Sequence, residues 1–266
     1  MKQFIKLLQH PLLKILLSPL AYVAFGLIVG MGLTSQIKWP SIGLLYLIVT
    51  SSHLIEHYFF IKHSKKRQDL APTALLYICE AILIVSSIVF FLQQHWIINL
   101  LLSLYIIFIH VQYVPYKITG TFYHFLLTVF FHGFILNSIA VYTQINGITL
   151  SILYAFIPMV IWMIGTQLET MQLRHRLTRE YTPKWLKLSR FVSSISSIIA
   201  VAVGVYFSLP SSTYFLVQLL FVFVSGLIIL PMFVPTEREK QIQNKINYYN
   251  AATLIFSLLY GLSFIF

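Results

Sequence analysis

Charge is what this sequence has least of. Among 266 residues, 18 are Lys or Arg and only 7 are Asp or Glu, so 9% are charged while 58% are hydrophobic. With a mean hydropathy of +0.83, that balance excludes a water-soluble globular domain, which carries about a quarter of its residues as charges. Cysteine is nearly absent as well. Cys79 stands alone, which excludes an internal disulfide and a cysteine-built metal centre. No glycine-rich phosphate loop and no convincing Ser-His-Asp order interrupts the hydrophobic runs.

What is present is a series of long charge-free stretches. Lys14 and Lys38 enclose 23 uncharged residues, enough to cross a hydrocarbon core of about 30 Å as a helix. A second stretch runs from Lys38 to Lys62, broken only by Glu56 and histidines. Asp69 to Lys117 holds room for two spans around the single acid Glu80. Lys117 to Glu169 divides at Gln144-Ile145-Asn146-Gly147, and Arg190 to Glu237 divides at Leu209-Pro210-Ser211-Ser212. Asn247 to Phe266 completes an expected nine transmembrane helices. The expected fold is therefore all-α and polytopic, a single domain over residues 1–266.

With nine spans, alternate loops face opposite sides, and the basic residues then divide sharply. Lys38 lies alone on one side, leaving 17 of the 18 Lys and Arg on the other. The positive-inside rule makes the richer side cytoplasmic, with the N-terminus inside and the C-terminus outside. A bacterial inner membrane is the expected location. The net charge of +11 then marks topology and anionic headgroups, and nucleic acid is not an expected partner. Residues 1–17 place Phe4, Ile5, Leu8, Leu12 and Ile15 near one helical face, with Lys2, Lys6 and Lys14 among the polar positions. This reads as an interfacial amphipathic helix, retained and not cleaved, preceding a bundle over 18–266.

Ionisable groups inside spans are costly unless paired or turned to a polar cavity. Glu56 and Glu169 each close a span, and each is followed by a basic loop: Lys62-His63-Ser64-Lys65-Lys66-Arg67 and Arg174-His175-Arg176. The repeated pattern predicts one polar chamber on the cytoplasmic side with Glu56 and Glu169 facing it, or else two ordinary snorkelling helix ends. Glu80 lies deeper, and the sequence assigns it no role beyond pairing with a histidine. His53-Leu54-Ile55-Glu56-His57 puts two histidines on one helical face beside a carboxylate, a spacing compatible with metal. His53, His57, His110, His124 and His132 are also candidate heme ligands. Tyr113 and Lys117 form a YxxxK pair in a short loop with Pro115. The pair suits either an anionic headgroup or plain interfacial anchoring.

The nine spans, the polar loops after helices 2 and 6, and the run Tyr113-Val114-Pro115-Tyr116-Lys117-Ile118-Thr119-Gly120 leading into Phe130-Phe131-His132-Gly133-Phe134 together resemble the UbiA superfamily of intramembrane prenyltransferases. In topology the resemblance covers nearly the whole chain; in sequence only this segment is close. The family's aspartate-rich motifs fall on Ser52, His53, Glu56 and Phe60 and on 167–173, where only Glu56 and Glu169 keep carboxylates. The resemblance implies a UbiA-like bundle and action on a prenyl diphosphate. It implies Mg²⁺ held by Glu56 and Glu169, with His53 as a further ligand, and catalytic roles for the two glutamates. Headgroup contacts would come from Tyr113, Lys117, Lys66, Arg67, Arg174 and Arg176, and an aromatic lining from the 22 Phe and 16 Tyr. A non-catalytic isoprenoid- or lipid-binding relative, or a partner subunit, is the alternative that the missing aspartates suggest.

Overall fold

The structure, a computed structural model, describes residues 17–64, 73–178, 183–209, 214–236 and 238–266. The expected interfacial helix up to residue 16, together with Lys66 and Arg67, lies outside them. Among the described residues the regular structure is helical, and seven helices are long and apolar enough to cross a membrane. The segment expected as the fourth span is an apolar helix at Trp96–Val111 of 16 residues, about 24 Å long at 1.5 Å per residue. The first expected span contributes the nine-residue helix Ala24–Gly32. The chain divides into two compact units. One gathers Ile37–His124 with the segment ending at Leu20; the other gathers Ala21–Gln36 and Phe125–Phe266.

In the first unit, helix α2 (Trp39–Phe59), continued by a π turn at Phe60–Ser64, packs along α3 (Thr73–Gln93); α1 denotes Ala24–Gly32 of the second unit. The buried positions of α2 include Ser41, Leu45, Ile48, Ser52 and Ile55. Those of α3 include Cys79, Leu83, Ser86 and Phe90. Both sets follow the alternating three- and four-residue spacing of a helix seam, with small residues allowing close approach. On α3 the same spacing repeats outward as Ile78, Ile82, Val85, Val89 and Leu92, all exposed, the face that suits lipid. Helix α4 (Trp96–Val111) follows after a tight turn. Asn99 Nδ2 closes that turn by donating to the Phe91 and Gln94 carbonyls at 2.9 and 3.4 Å, which α3 leaves without helical partners.

The second unit is built on two close helix contacts. Helix α5 (Phe122–Val129) runs through a π turn at Phe130–Ile135 into α6 (Leu136–Ile145). Asn137, fully buried, ties that turn to α1. Its Nδ2 donates to the His132 and Gly133 carbonyls at 3.2 and 3.4 Å, while its Oδ1 accepts from the Gly26 amide at 2.9 Å. A π turn displaces carbonyls from their usual partners, and the first turn of α1 has amides in need of acceptors. One side chain answers both. The contact is tight enough that a Cβ built on Gly26 would lie 2.2 Å from the Asn137 carbonyl oxygen. Gly26→Ala is therefore expected to lower the thermal midpoint of the purified protein, at a cost of about 1–3 kcal/mol or more. Gly43→Ala, where a Cβ meets nothing within 4 Å, should leave the midpoint level or raised.

Helix α6 ends where the sequence divides, with Asn146 at φ 54 and its amide donating to the Tyr142 carbonyl at 2.8 Å. Asparagine tolerates this left-handed position. Helices α7 (Leu150–Ala155) and α8 (Ile157–Thr178) lead to the second close contact, along α9 (Ser189–Ser208). The buried face of α9 is almost all small: Ser189, Ser193, Ser196, Ser197, Ala200 and Gly204. Gly165 of α8 sits on it, where a Cβ would lie 2.9 Å from the Ser193 carbonyl oxygen. Helices α10 (Phe215–Ile229) and α11 (Glu239–Ile265) close the unit. Trp162 stacks on Phe256 at 4.2 Å between centroids, and Phe25 stacks on Tyr260 at 4.7 Å. The Trp162 indole donates to Thr253 Oγ1 at 3.1 Å and the Tyr260 hydroxyl to the Ala155 carbonyl at 2.9 Å. These aromatics fill the core of the unit against one another, each polar tip satisfied.

Candidate functional site

A polar buried cluster lies in the second unit, where α8 turns into α9. On α8, Glu169, Gln172 and Arg176 fall three and four residues apart and so share a face. Pro183 and a short 3₁₀ turn at Lys184–Leu186 bring the chain back into α9. That return places Ser189 beside Glu169 and Gln172, with Arg190 one residue on. Helix α10 ends in a second 3₁₀ turn at Leu230–Phe233. From there residues 234–236 pass over the cluster, and Arg176 Nη1 donates to the Thr236 carbonyl at 3.4 Å.

Glu169 is only 2% exposed, and both its carboxylate oxygens are engaged. Oε2 accepts from the Ser189 hydroxyl at 2.9 Å, and Oε1 lies 3.6 Å from the Lys245 ammonium. Ser189 Oγ is also 2.6 Å from Gln172 Oε1. A hydroxyl carries one proton, so both contacts hold together only with the Gln172 amide turned to donate to Ser189, which then donates to Glu169. Lys245 comes from α11 and is itself 7% exposed. Its ammonium donates to the Val234 and Met232 carbonyls at 2.7 and 3.1 Å. Beyond these two bonds the ammonium meets the Glu169 carboxylate as an ion pair at 3.6 Å.

Beside this pair opens a cavity of about 380 Å³, lined by Glu169, Gln172, Arg176, Lys187, Arg190 and Ser194, with Leu188, Phe191, Phe233 and Thr236 around them. That volume falls within the range of about 300–1,000 Å³ usual for small-molecule sites. Among the described residues three cations face it, and the one carboxylate in its wall is paired with Lys245. The wall is therefore positive. Leu188, Phe191 and Phe233 are 67%, 65% and 51% exposed, an apolar rim beside the charged floor. The arrangement suits an anionic headgroup on an alkyl chain.

The sequence-predicted residues divide between the two units. Glu169, Arg174 and Arg176 belong to the second, and of these Glu169 and Arg176 line the cavity. Arg174, two residues before Arg176 and so on another face of α8, is half-buried and is not in that wall. His53, Glu56, Tyr113 and Lys117 belong to the first. Glu56 and His53 are half-buried on α2. Tyr113 is buried, its ring 5.9 Å from that of Phe59 and 6.2 Å from that of His63. Lys117 is exposed, with φ 44, and lies within electrostatic reach of His63 beside Lys62. The loop holding the pair is closed by the Thr119 amide donating to the Gln112 carbonyl at 3.3 Å, and by His124 Nε2 against Gln112 Oε1 at 2.8 Å. Tyr113 thus packs at the end of α2, while Lys117 is exposed.

Glu80 has its histidine. His110 Nε2 lies 2.9 Å from Glu80 Oε1, and His110 Nδ1 is 2.8 Å from the Ile106 carbonyl, so both ring nitrogens are engaged. His124 is held by Gln112, and His132 stacks on Tyr22 at 4.0 Å between centroids. Among the described residues no three His, Cys, Asp or Glu side chains stand close enough to share a metal ion. The Glu169 carboxylate does not fit Mg²⁺ either. A cation bound at about 2.0–2.1 Å from Oε1 would be repelled by the Lys245 ammonium, which stands 3.6 Å from that oxygen.

Sequence reasoning missed Lys187, Arg190, Ser189 and Lys245. A signal for Lys245 was there: Ile242, Ile246, Tyr249, Ala252 and Phe256 form the buried stripe of α11, and a lysine among them at helical spacing requires a buried anion. Comparison with protein-family models, curated proteins and solved structures finds no match to this chain.

Proposed function

We propose that this chain is a UbiA-like intramembrane protein that takes a prenyl diphosphate, the diphosphate held by Arg176, Lys187 and Arg190 beside Glu169. The observation that carries this reading is the charge of the cavity wall, three cations against a carboxylate already paired with Lys245. Arginine forks and a lysine ammonium suit phosphate oxygens. The exposed rim of Leu188, Phe191 and Phe233 suits the prenyl chain. Such a wall supports transfer of the prenyl group. When the allylic C–O bond breaks, its electron pair leaves with the diphosphate, whose charge the fixed cations stabilise, and the allylic carbon bonds to a nucleophilic acceptor that then loses a proton. The pairing of Glu169 with Lys245 favours a second reading, in which a non-catalytic relative or partner subunit holds the lipid without turnover.

Native mass spectrometry of the full chain with prenyl diphosphates from short to long separates the two. Bound diphosphate with pyrophosphate release supports transfer, and bound diphosphate that persists intact supports the binding protein. No binding at any chain length retires both. The same reading carries nine spans, a cytoplasmic N-terminus, an outside C-terminus and a bacterial inner membrane. Reporter fusions at Arg67 and Ile145 are expected to report opposite sides, and a shared side removes that topology.

A further inference from the structure

We infer that the diphosphate site carries its own counter-cation: Lys245, locked onto Glu169, makes phosphate binding independent of a divalent metal. The inference rests on the headgroup reading above and sharpens its ligand class to a metal-free phosphate or diphosphate ester. A carboxylate in the wall of a phosphate site repels its ligand unless a cation stands between them or its charge is offset from behind. Here the offset comes from behind. Lys245 Nζ is 3.6 Å from Glu169 Oε1 and is anchored by the Met232 and Val234 carbonyls, so it cannot swing away without losing two hydrogen bonds. Lys245 is absent from the lining of the cavity, whereas Glu169 is part of it. The ammonium therefore neutralises the wall without occupying the ligand's space. Among the described residues no carboxylate forms an ion pair with Arg176, Lys187 or Arg190, which line the cavity.

Both carboxylate oxygens of Glu169 already have a donor beside them. Ser189 caps one carboxylate oxygen at 2.9 Å, and the ammonium stands at the other. Glu169 then acts as the anchor of Lys245 and is not a ligand of a metal. The two roles predict opposite effects of removing its charge.

The test measures binding of a prenyl diphosphate, and of inorganic pyrophosphate as the headgroup alone, to the full chain in detergent. Each is run with EDTA and again with Mg²⁺. Wild-type affinity for the prenyl diphosphate is expected to agree within about threefold between the two conditions, because the ligand's phosphates meet fixed cations and need no shared metal. Glu169→Gln is expected to tighten binding in EDTA about fivefold, since it removes the negative charge from the wall and leaves the ammonium. Mg²⁺-dependent binding by the wild type, or loss of binding in Glu169→Gln that keeps the wild-type helical circular-dichroism signal, overturns the inference while leaving the headgroup site standing; where Glu169→Gln does not fold, the wild-type comparison of EDTA with Mg²⁺ decides it. Absence of wild-type binding in both conditions overturns the headgroup reading and this inference with it. Pyrophosphate binding as tight as that of the prenyl diphosphate assigns the site to a free anion, and its EDTA arm then decides the metal question in the same way.

Discussion

Replacing Arg176, Lys187 and Arg190 together with alanine is expected to cut affinity for a prenyl diphosphate by a thousandfold or more. Each charge-assisted hydrogen bond to phosphate contributes about 1.5–3 kcal/mol, so three sum to at least about 4.5 kcal/mol, near three decades of affinity. These side chains are exposed on the cavity wall, so the substitutions remove charge without emptying a core, and the thermal midpoint should stay close to that of the wild type. Lys184→Ala is the matched control. It removes a cation from the same turn between α8 and α9, at a position outside the cavity lining. Its affinity should change less than about threefold, the modest effect of a distant, screened charge. Titration of the labelled lipid into the purified variants checks the contrast. Equal losses in the triple variant and the control would mean that general surface charge, and not this cavity, attracts the ligand.

The second large effect is on stability. Lys245→Met leaves the Glu169 carboxylate, 2% exposed, as a charge without its counter-ion, and frees the carbonyls of Met232 and Val234. Breaking a buried pair by removing one partner costs about 3–5 kcal/mol, enough to consume a large part of the net stability of an ordinary domain. The double variant Lys245→Met with Glu169→Leu removes both charges and is expected to recover most of the loss, because apolar replacements of similar volume restore packing without desolvated charge. Unfolding midpoints of the wild type, both single variants and the double variant close the cycle. A double variant as unstable as Lys245→Met would show that the ammonium matters through its carbonyl bonds and not through Glu169.

The membrane character of the chain was legible because hydropathy is a local property. Each charge-free stretch carries its own length and its own cost of exposure to water, so the boundaries near Asn146 and Ser208 emerge wherever apolar runs stop. The need of Glu80 for a partner was equally legible, since an acid inside a span must be answered. The choice of His110, 30 residues on, was not. The described residues carry seven of the nine expected spans. In the first and fourth segments they show helix at 17–20 and Ala24–Gly32 and at Trp96–Val111.

Composition and charge spacing alone therefore determined a helical, apolar chain of membrane-crossing length in seven of the described segments, and Glu169 as an acid that needs an explanation. Only the tertiary structure decided what answers it. Lys245 lies 76 residues beyond Glu169 (245 − 169), on a different helix, and reaches it at 3.6 Å because the small serine face of α9 and Gly165 let α8 pack closely against it while α11 closes over the turn at Leu230–Phe233. Gly26 and Asn137 make the same point at 111 residues apart. Hydropathy is summed along the chain, residue by residue. A buried charge pair and a shared cap are set by which helix faces meet, and that is a property of packing between segments that no local window contains.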